Sequence, residues 1–274
     1  MTPEQRYLFD VTGYLHLENV LNDRELRSAQ TAADRYIQTP PEEFPPGFSV
    51  DLERRDFTPY SHGFAFDKAL ERFCFHPVTW PIVKELTGDK PRFTSGTLAR
   101  NTHGQTFHPL HCAREGGGGP EMPRYFSQDG HIYCDFFVAF FYLTDVMPGD
   151  GGLVVIPGSH KSDFLRPTEL FVTDDDTLDP APHPAVTNIT PRAGDVVIIS
   201  ELLTHGALVW KPKDRERRFL IMRYMPQYTA YASFVSFPKE ILARLSPETL
   251  ELIEVAGYKH VKAVVEQQAA IELT

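Results

Sequence analysis

A chain of 274 residues accommodates one large domain or two small ones, and 42% hydrophobic content with 20 Phe and 11 Tyr predicts a globular, aromatic-rich core. Its net charge of −10 excludes a general nucleic-acid or anionic-membrane surface, which needs clustered Lys and Arg. The cysteines Cys74, Cys112 and Cys134 have no zinc-site or redox-motif spacing, and the N-terminus lacks a basic and then apolar leader. With no apolar run near ~20 residues, the expectation is reduced thiols in a cytoplasmic protein that does not span a membrane.

The first element is a capped helix, with Thr2 at the N-cap, Pro3 in the first turn and Glu4 facing the dipole. Gly13 ends it, and "YLHLENV" alternates as a strand. Asn22 or Asp23 caps a longer helix running to about residue 37. Segment 38–65, rich in Pro and charge, reads as a long loop of the kind that serves as a lid. "DKALERFCFHPVTWPIVKELTGD" gives two short helices, the second ending near Gly88.

From residue 92 the pattern changes to short β-rich runs separated by Gly, Pro and Asp turns. These are "RFTSGTLARN", "TFHPLHC", "IYCDFFVAFFYLTDV", "GGLVVIPGS", "DVVIIS", "GALVWK" and "RRFLIMRYM". Such a series predicts a β-sandwich or barrel. "DFFVAFFYLTDV" is apolar on both faces, so this strand is expected to be covered on both sides. A capped helix begins at Ser246. The organisation expected is a single domain over 1–274: a helical flank at 1–90 containing the 38–65 loop, a β core at 91–228 and a helical extension at 229–274.

Of the 11 histidines, His111 and His205 stand apart, each at a strand end beside a glycine-containing turn. An open iron site on a β-barrel takes two neutral imidazoles and usually one carboxylate, leaving other positions free. The basic strand "DRERRFLIMRYM" follows His205, and an arginine at its start offers a planar fork to a carboxylate. Arg217, Phe219, Ile221 and Arg223 share one face of it; Arg218, Leu220, Met222 and Tyr224 share the other.

The blocks "YLTDVMPGDGGLVVIPGSHKSDF", "PRAGDVVIISELLTHGALVW" and "RERRFLIMRYMPQY" resemble the phytanoyl-CoA dioxygenase-like family of Fe(II)/2-oxoglutarate-dependent oxygenases. The opening "LFDVTGYLHLENVLNDRELRSAQ" is similar to the same family, so the resemblance spans most of the chain. It implies a mainly β, double-stranded β-helix (a cupin-like jelly roll) with flanking helices. It also implies a dioxygenase using O2 on a small organic or lipid-like substrate, without nucleic acid or membrane as partner. No CoA-binding feature is evident. The resemblance makes His111 the first iron ligand, His205 the distal one and Arg217 the 2-oxoglutarate anchor, with Arg218 the alternative. His160 belongs to the signature turn and is not a ligand.

One departure stands out. The family has His-X-Asp where this chain has His111-Cys112-Ala113. Three readings stay open. Another carboxylate substitutes, Asp135 being the better candidate and Glu115 the other. Or the position is empty, as in related halogenases where a halide fills it. Or the fold serves as a ligand-binding module without metal. Two other pairings read poorly. His131 and Asp135 share a strand face but lie about 13 Å apart, and His108 and His111 point to opposite faces of an extended strand. The glycines 116–119 lack the features of a phosphate loop and read as a hinge.

Overall fold

The computed structural model describes residues 1–115, 123–164, 166–167, 183–229 and 237–266. The hinge expected at 116–119 lies outside them.

Helix α1 (Pro3–Thr12) is closed by a Thr2–Gln5 capping box and ends on Gly13, whose φ of 82° is the left-handed stop. Strand β1 (Tyr14–Leu17) follows, then α2 (Asp23–Gln38), capped by Asn22 and Glu25. The short helices α3 (Lys68–Glu71) and α4 (Trp80–Leu86) complete the N-terminal flank. Segment 38–65 is more ordered than a loop: it carries β2 (Thr58–Tyr60), an edge strand beside β3 (Pro91–Asn101). Pro59 sits at that edge, where a missing N–H is tolerated.

The other strands are β4 (His108–His111), β5 (Tyr125–Gln128), β6 (His131–Cys134), β7 (Phe137–Tyr142), β8 (Gly152–Val155), β9 (Thr187–Asn188), β10 (Val196–Ser200), β11 (His205–Leu208) and β12 (Arg217–Pro226). They form a six-stranded sheet in the order β1-β10-β7-β12-β3-β2, a four-stranded sheet β4-β11-β8-β9 and a hairpin β5-β6. Every pairing is antiparallel. Two facing sheets with short, crossing connections are the jelly-roll architecture.

The stretch read as one strand from Ile132 breaks at Asp135, because its N–H and carboxylate turn to Arg124 and end the hairpin there. The larger sheet is buried on both faces, as its unbroken apolar runs require. Phe137, Ala139 and Phe141 pack with Val196, Ile198, Leu220 and Met222 against the helices. Val138, Phe140 and Tyr142 point the other way with Val197, Ile199, Phe219 and Ile221, into the space between the sheets. The smaller sheet closes that space with Leu153 and Val155. Helix α5 (Lys239–Leu242) adds Ile241 to the helical side, and α6 (Pro247–Ile253), capped by Ser246, adds Leu252.

The signature turn explains its glycines. Gly151 and Gly152 both have positive φ, and a Cβ on Gly151 would lie 1.9 Å from the Val209 carbonyl oxygen. Asp195 ties the opposite end together by accepting from the Asn19 and Arg192 N–H groups and pairing with His16 at 2.9 Å.

Candidate metal and cosubstrate site

Strand pairing sets His111 directly opposite His205. His205 also pairs with Val155, whose side chain lies in the inter-sheet core, so all three face inward. The two rings lie 4.2 Å apart between centroids. Each directs its Nδ1 at the carbonyl two residues back, His111 to Pro109 at 2.9 Å and His205 to Leu203 at 2.7 Å. With Nδ1–H donating, each neutral ring keeps its Nε2 lone pair free, the tautomer that a metal ligand needs. Burial is the main reason the His205 pKa is pushed down to about 4, so this imidazole is neutral at ordinary pH.

His108 departs from the expectation for an extended strand. A β-bulge makes His111 oppose His205 while His108 opposes Ala207, three residues of β4 against two of β11. The bulge turns His108 to the same side as His111, with ring centroids 4.5 Å apart. Its Nδ1 meets Asp56 Oδ2 at 2.5 Å, and Phe57 packs edge-on against it. Residues 54–57 of the former loop thus reach the site, as Arg54 pairs with Asp56 and covers the Phe57 ring.

At the other end of β11, Arg217 is buried and points into the same inter-sheet space as Phe219. Its Nη1 donates to Asn101 Oδ1 and its Nη2 to the Tyr142 hydroxyl, both at 3.2 Å. Its Nε is buried without a protein acceptor. Gly152 allows this arrangement, since a Cβ there would stand 3.3 Å from that nitrogen. Gly152 opposes Leu208, three residues along β11 from His205, or roughly 10 Å. Arg218 is on the opposite face and pairs with Asp34 of α2.

The carboxylates sort differently from the sequence expectation. Asp135 accepts from the Arg124 backbone N–H and side chain, and Glu115 pairs with Arg166. Each is thus engaged by an arginine, and among the described residues no three His, Cys, Asp or Glu side chains stand, as they lie, in a ready-made metal cluster, Glu201 included. A residue that the sequence reading passed over lies closer. Glu201, in the β10–β11 turn, is buried with Oε2 3.7 Å from His205 Nε2, while Oε1 accepts from Arg223 Nε at 3.0 Å. Burial raises its pKa, but neighbouring positive charge, Arg223 foremost, outweighs that and holds it below the usual carboxylate value. A carboxylate at a strand end four residues before His205, and an arginine on the Arg217 face of β12, were the available signals.

A cleft of about 310 Å³ lies nearby, lined by Cys112, Ile156 and Thr204. Cys112 and Thr204 alternate with the histidines along their strands, so this cleft is on the outer side of the small sheet.

The model for phytanoyl-CoA dioxygenase (PhyH) matches residues 9–210. The chain belongs to the phytanoyl-CoA dioxygenase family. Among curated relatives, the peroxisomal phytanoyl-CoA dioxygenase of Mus musculus is 25% identical over 233 residues, 76% of this chain and 63% of that protein. Dioxygenase cdmD of Talaromyces verruculosus is 27% identical over 125 residues, 46% of this chain and 36% of that protein. The chain therefore covers less than two thirds of the length of these relatives. Among solved structures, HygX from Streptomyces hygroscopicus, holding nickel, 2-oxoglutarate and hygromycin B, superposes with a TM-score of 0.66 at 22% identity, covering 88% of this chain and 98% of HygX. SnoK, a non-heme α-ketoglutarate-dependent carbocyclase from nogalamycin biosynthesis, gives 0.62 at 20% identity, covering 90% and 92%. At that identity these likenesses establish the jelly-roll fold.

The residues present fit the family's cofactors in two respects: two apposed imidazoles, each with Nδ1 turned to a backbone carbonyl, suit a divalent iron, and an orphaned buried guanidinium N–H suits a carboxylate. No described helix is long and apolar enough to cross a membrane.

Proposed function

We propose that this chain is a non-haem Fe(II)/2-oxoglutarate-dependent oxygenase, one oxygenase domain acting on a small organic substrate. The observation that carries the reading is the pairing of His111 with His205 across β4 and β11, with Arg217 facing the same interior. Iron bound with 2-oxoglutarate supplies O2 activation coupled to decarboxylation to succinate. His111 and His205 hold the metal through Nε2, while Pro109 and Leu203 fix the tautomers through Nδ1.

Arg217 takes the far carboxylate of 2-oxoglutarate, with Asn101 and Tyr142 holding its guanidinium in place. The orphaned Nε supplies an unspent donor for that charge. The strand distance between His205 and the Gly152–Arg217 contact, roughly 10 Å, accommodates a five-carbon dicarboxylate between metal and arginine. Phe140, Phe219 and Ile221 exclude water from the interior, while residues 54–57 border it from the edge-strand side. The other phenylalanines of β7 face the helices and take no part in that wall.

The test is anaerobic addition of Fe(II) and 2-oxoglutarate, followed by a visible charge-transfer band and, on admitting O2, succinate formation. His111→Ala and His205→Ala are expected to abolish both signals. Retention of the band in either variant would refute the assignment.

A further inference from the structure

We propose that Glu201 is the carboxylate ligand of the metal site, delivered from the β10–β11 turn into the place that Ala113 leaves open. This rests on the reading of His111 and His205 as iron ligands and adds the third protein donor.

The backbone explains how a residue so far along the chain reaches position 113. The Ala113 N–H donates to the Glu201 carbonyl at 2.8 Å, and the Glu201 N–H donates to the Phe136 carbonyl at 3.0 Å. Glu201 is thereby pinned between the end of β4 and the start of β7, one on each sheet. Its side chain turns inward at the mouth of the inter-sheet space, where Oε2 stands 3.7 Å from His205 Nε2.

That contact is informative because of what it lacks. The His205 Nδ1–H is committed to Leu203, so its Nε2 presents a lone pair. The Glu201 Oε2 faces that nitrogen at 3.7 Å, beyond hydrogen-bond distance, while Oε1 is engaged by Arg223. Two electron-rich atoms held face to face in a buried site are the arrangement a cation reconciles. Ligands on adjacent corners of an octahedron lie roughly 3 Å apart when each is about 2.1 Å from the metal. A movement of the glutamate of less than about 1 Å brings this pair to that spacing.

The competing carboxylates are accounted for. Asp135 is held by Arg124, Glu115 by Arg166 and Asp56 by Arg54 and His108. Arg223 occupies only Oε1 of Glu201, so it orients the ligand and leaves the other oxygen for the metal. A buried anion beside position 113 also disfavours a halide in the space left by the missing aspartate, because like charges repel in a low dielectric.

The test uses Co(II) as probe, read by calorimetry and by its visible d–d absorption, on wild type, Glu201→Gln, Glu201→Gln combined with Ala113→Asp, and His111→Ala. Glu201→Gln is expected to weaken Co(II) binding at least 10-fold and to change the absorption envelope. Ala113→Asp in that background is expected to restore both, by returning a carboxylate to the face of His111. Equal affinity and spectrum in wild type and Glu201→Gln would overturn the proposal and leave the two-histidine reading intact. Weakening without recovery would reduce Glu201 to an Arg223 partner and overturn it as well. A wild type that binds no Co(II) would remove the functional reading and the proposal together. Arg223→Leu guards against a folding defect in Glu201→Gln: a ligating Glu201 makes added Co(II) raise the melting temperature more than in wild type, and no such gain counts against ligation.

Discussion

Arg217 illustrates how a single side chain announces a ligand. Two of its nitrogens are satisfied by Asn101 and Tyr142, its plane lies over the Phe219 ring at 4.2 Å, and the remaining Nε is buried without an acceptor. Removing a charge partner from a buried pair costs several kcal/mol, so Arg217→Met is expected to raise the 2-oxoglutarate concentration for half-maximal succinate formation about 100-fold. Co(II) affinity should stay near wild type, since the histidines are untouched. Arg217→Lys keeps the charge but loses the planar fork, and an intermediate increase is expected. Arg217, His111 and His205 were singled out by the family resemblance, with strand alternation letting only one of Arg217 and Arg218 face inward. Glu201 was not, because its approach to Ala113 depends on a hydrogen bond between two sheets, a contact no local pattern encodes. Asp135 drew attention as a charge at the head of an apolar strand, and that charge is instead the corner where the hairpin ends against Arg124.

At the scale of elements, the most consequential irregularity is the bulge in β4. Perfect alternation sends His108 away from His111, whereas one extra residue opposite β11 brings the two rings to the same face. Alternation arguments fail at bulges because the period of two is lost there, and bulges are frequent beside active sites. His108 is then fixed by Asp56, whose loop carries the edge strand β2. The C-terminal extension has its own buried fixing point. Lys262 is nearly inaccessible and donates to the carbonyls of Pro91, Leu252 and Glu254 at 3.2, 3.0 and 2.7 Å. It ties the end of α6 to the start of β3, supplying donors to carbonyls that the helix terminus leaves unpaired. Lys262→Met removes those donors and leaves the carbonyls buried, for an expected loss on the order of 3 kcal/mol in urea unfolding at pH 7. Unfolding free energy within about 0.5 kcal/mol of wild type would show that water replaces the ammonium.

Across the whole molecule, the helices, the two-faced large sheet and the facing small sheet follow from capping residues and apolar runs that local chemistry dictates, whereas the short β9 and the β5-β6 hairpin depend on partners. The buried histidines add a property of the fold as a unit. Burial pushes His160 and His205 down to about 4, and it lowers His62, His76 and His108 as well. His160 is completely inaccessible, against Tyr125 with ring centroids 4.5 Å apart, and neither ring nitrogen has a hydrogen-bond partner. In the unfolded chain the His160 and His205 rings take up protons near the ordinary histidine value of about 6.5, while in the native state they resist until about 4. The unfolded state therefore binds more protons between those values, and stability falls as pH drops through that window. Each such group contributes about 1.4 kcal/mol per pH unit there, so His160 alone accounts for on the order of 3 kcal/mol. Urea midpoints measured from pH 7 to pH 4 are expected to fall steadily in the wild type. His160→Leu should make that decline shallower by one proton's worth, because the replacement has nothing to titrate. Metal bound at His205 should steepen it, because the native ring then stays unprotonated to still lower pH while the unfolded chain takes up its proton as before. An unchanged slope in His160→Leu would mean that the ring is protonated within the native fold, with a partner reached by local rearrangement, and that the acid sensitivity belongs to the remaining histidines.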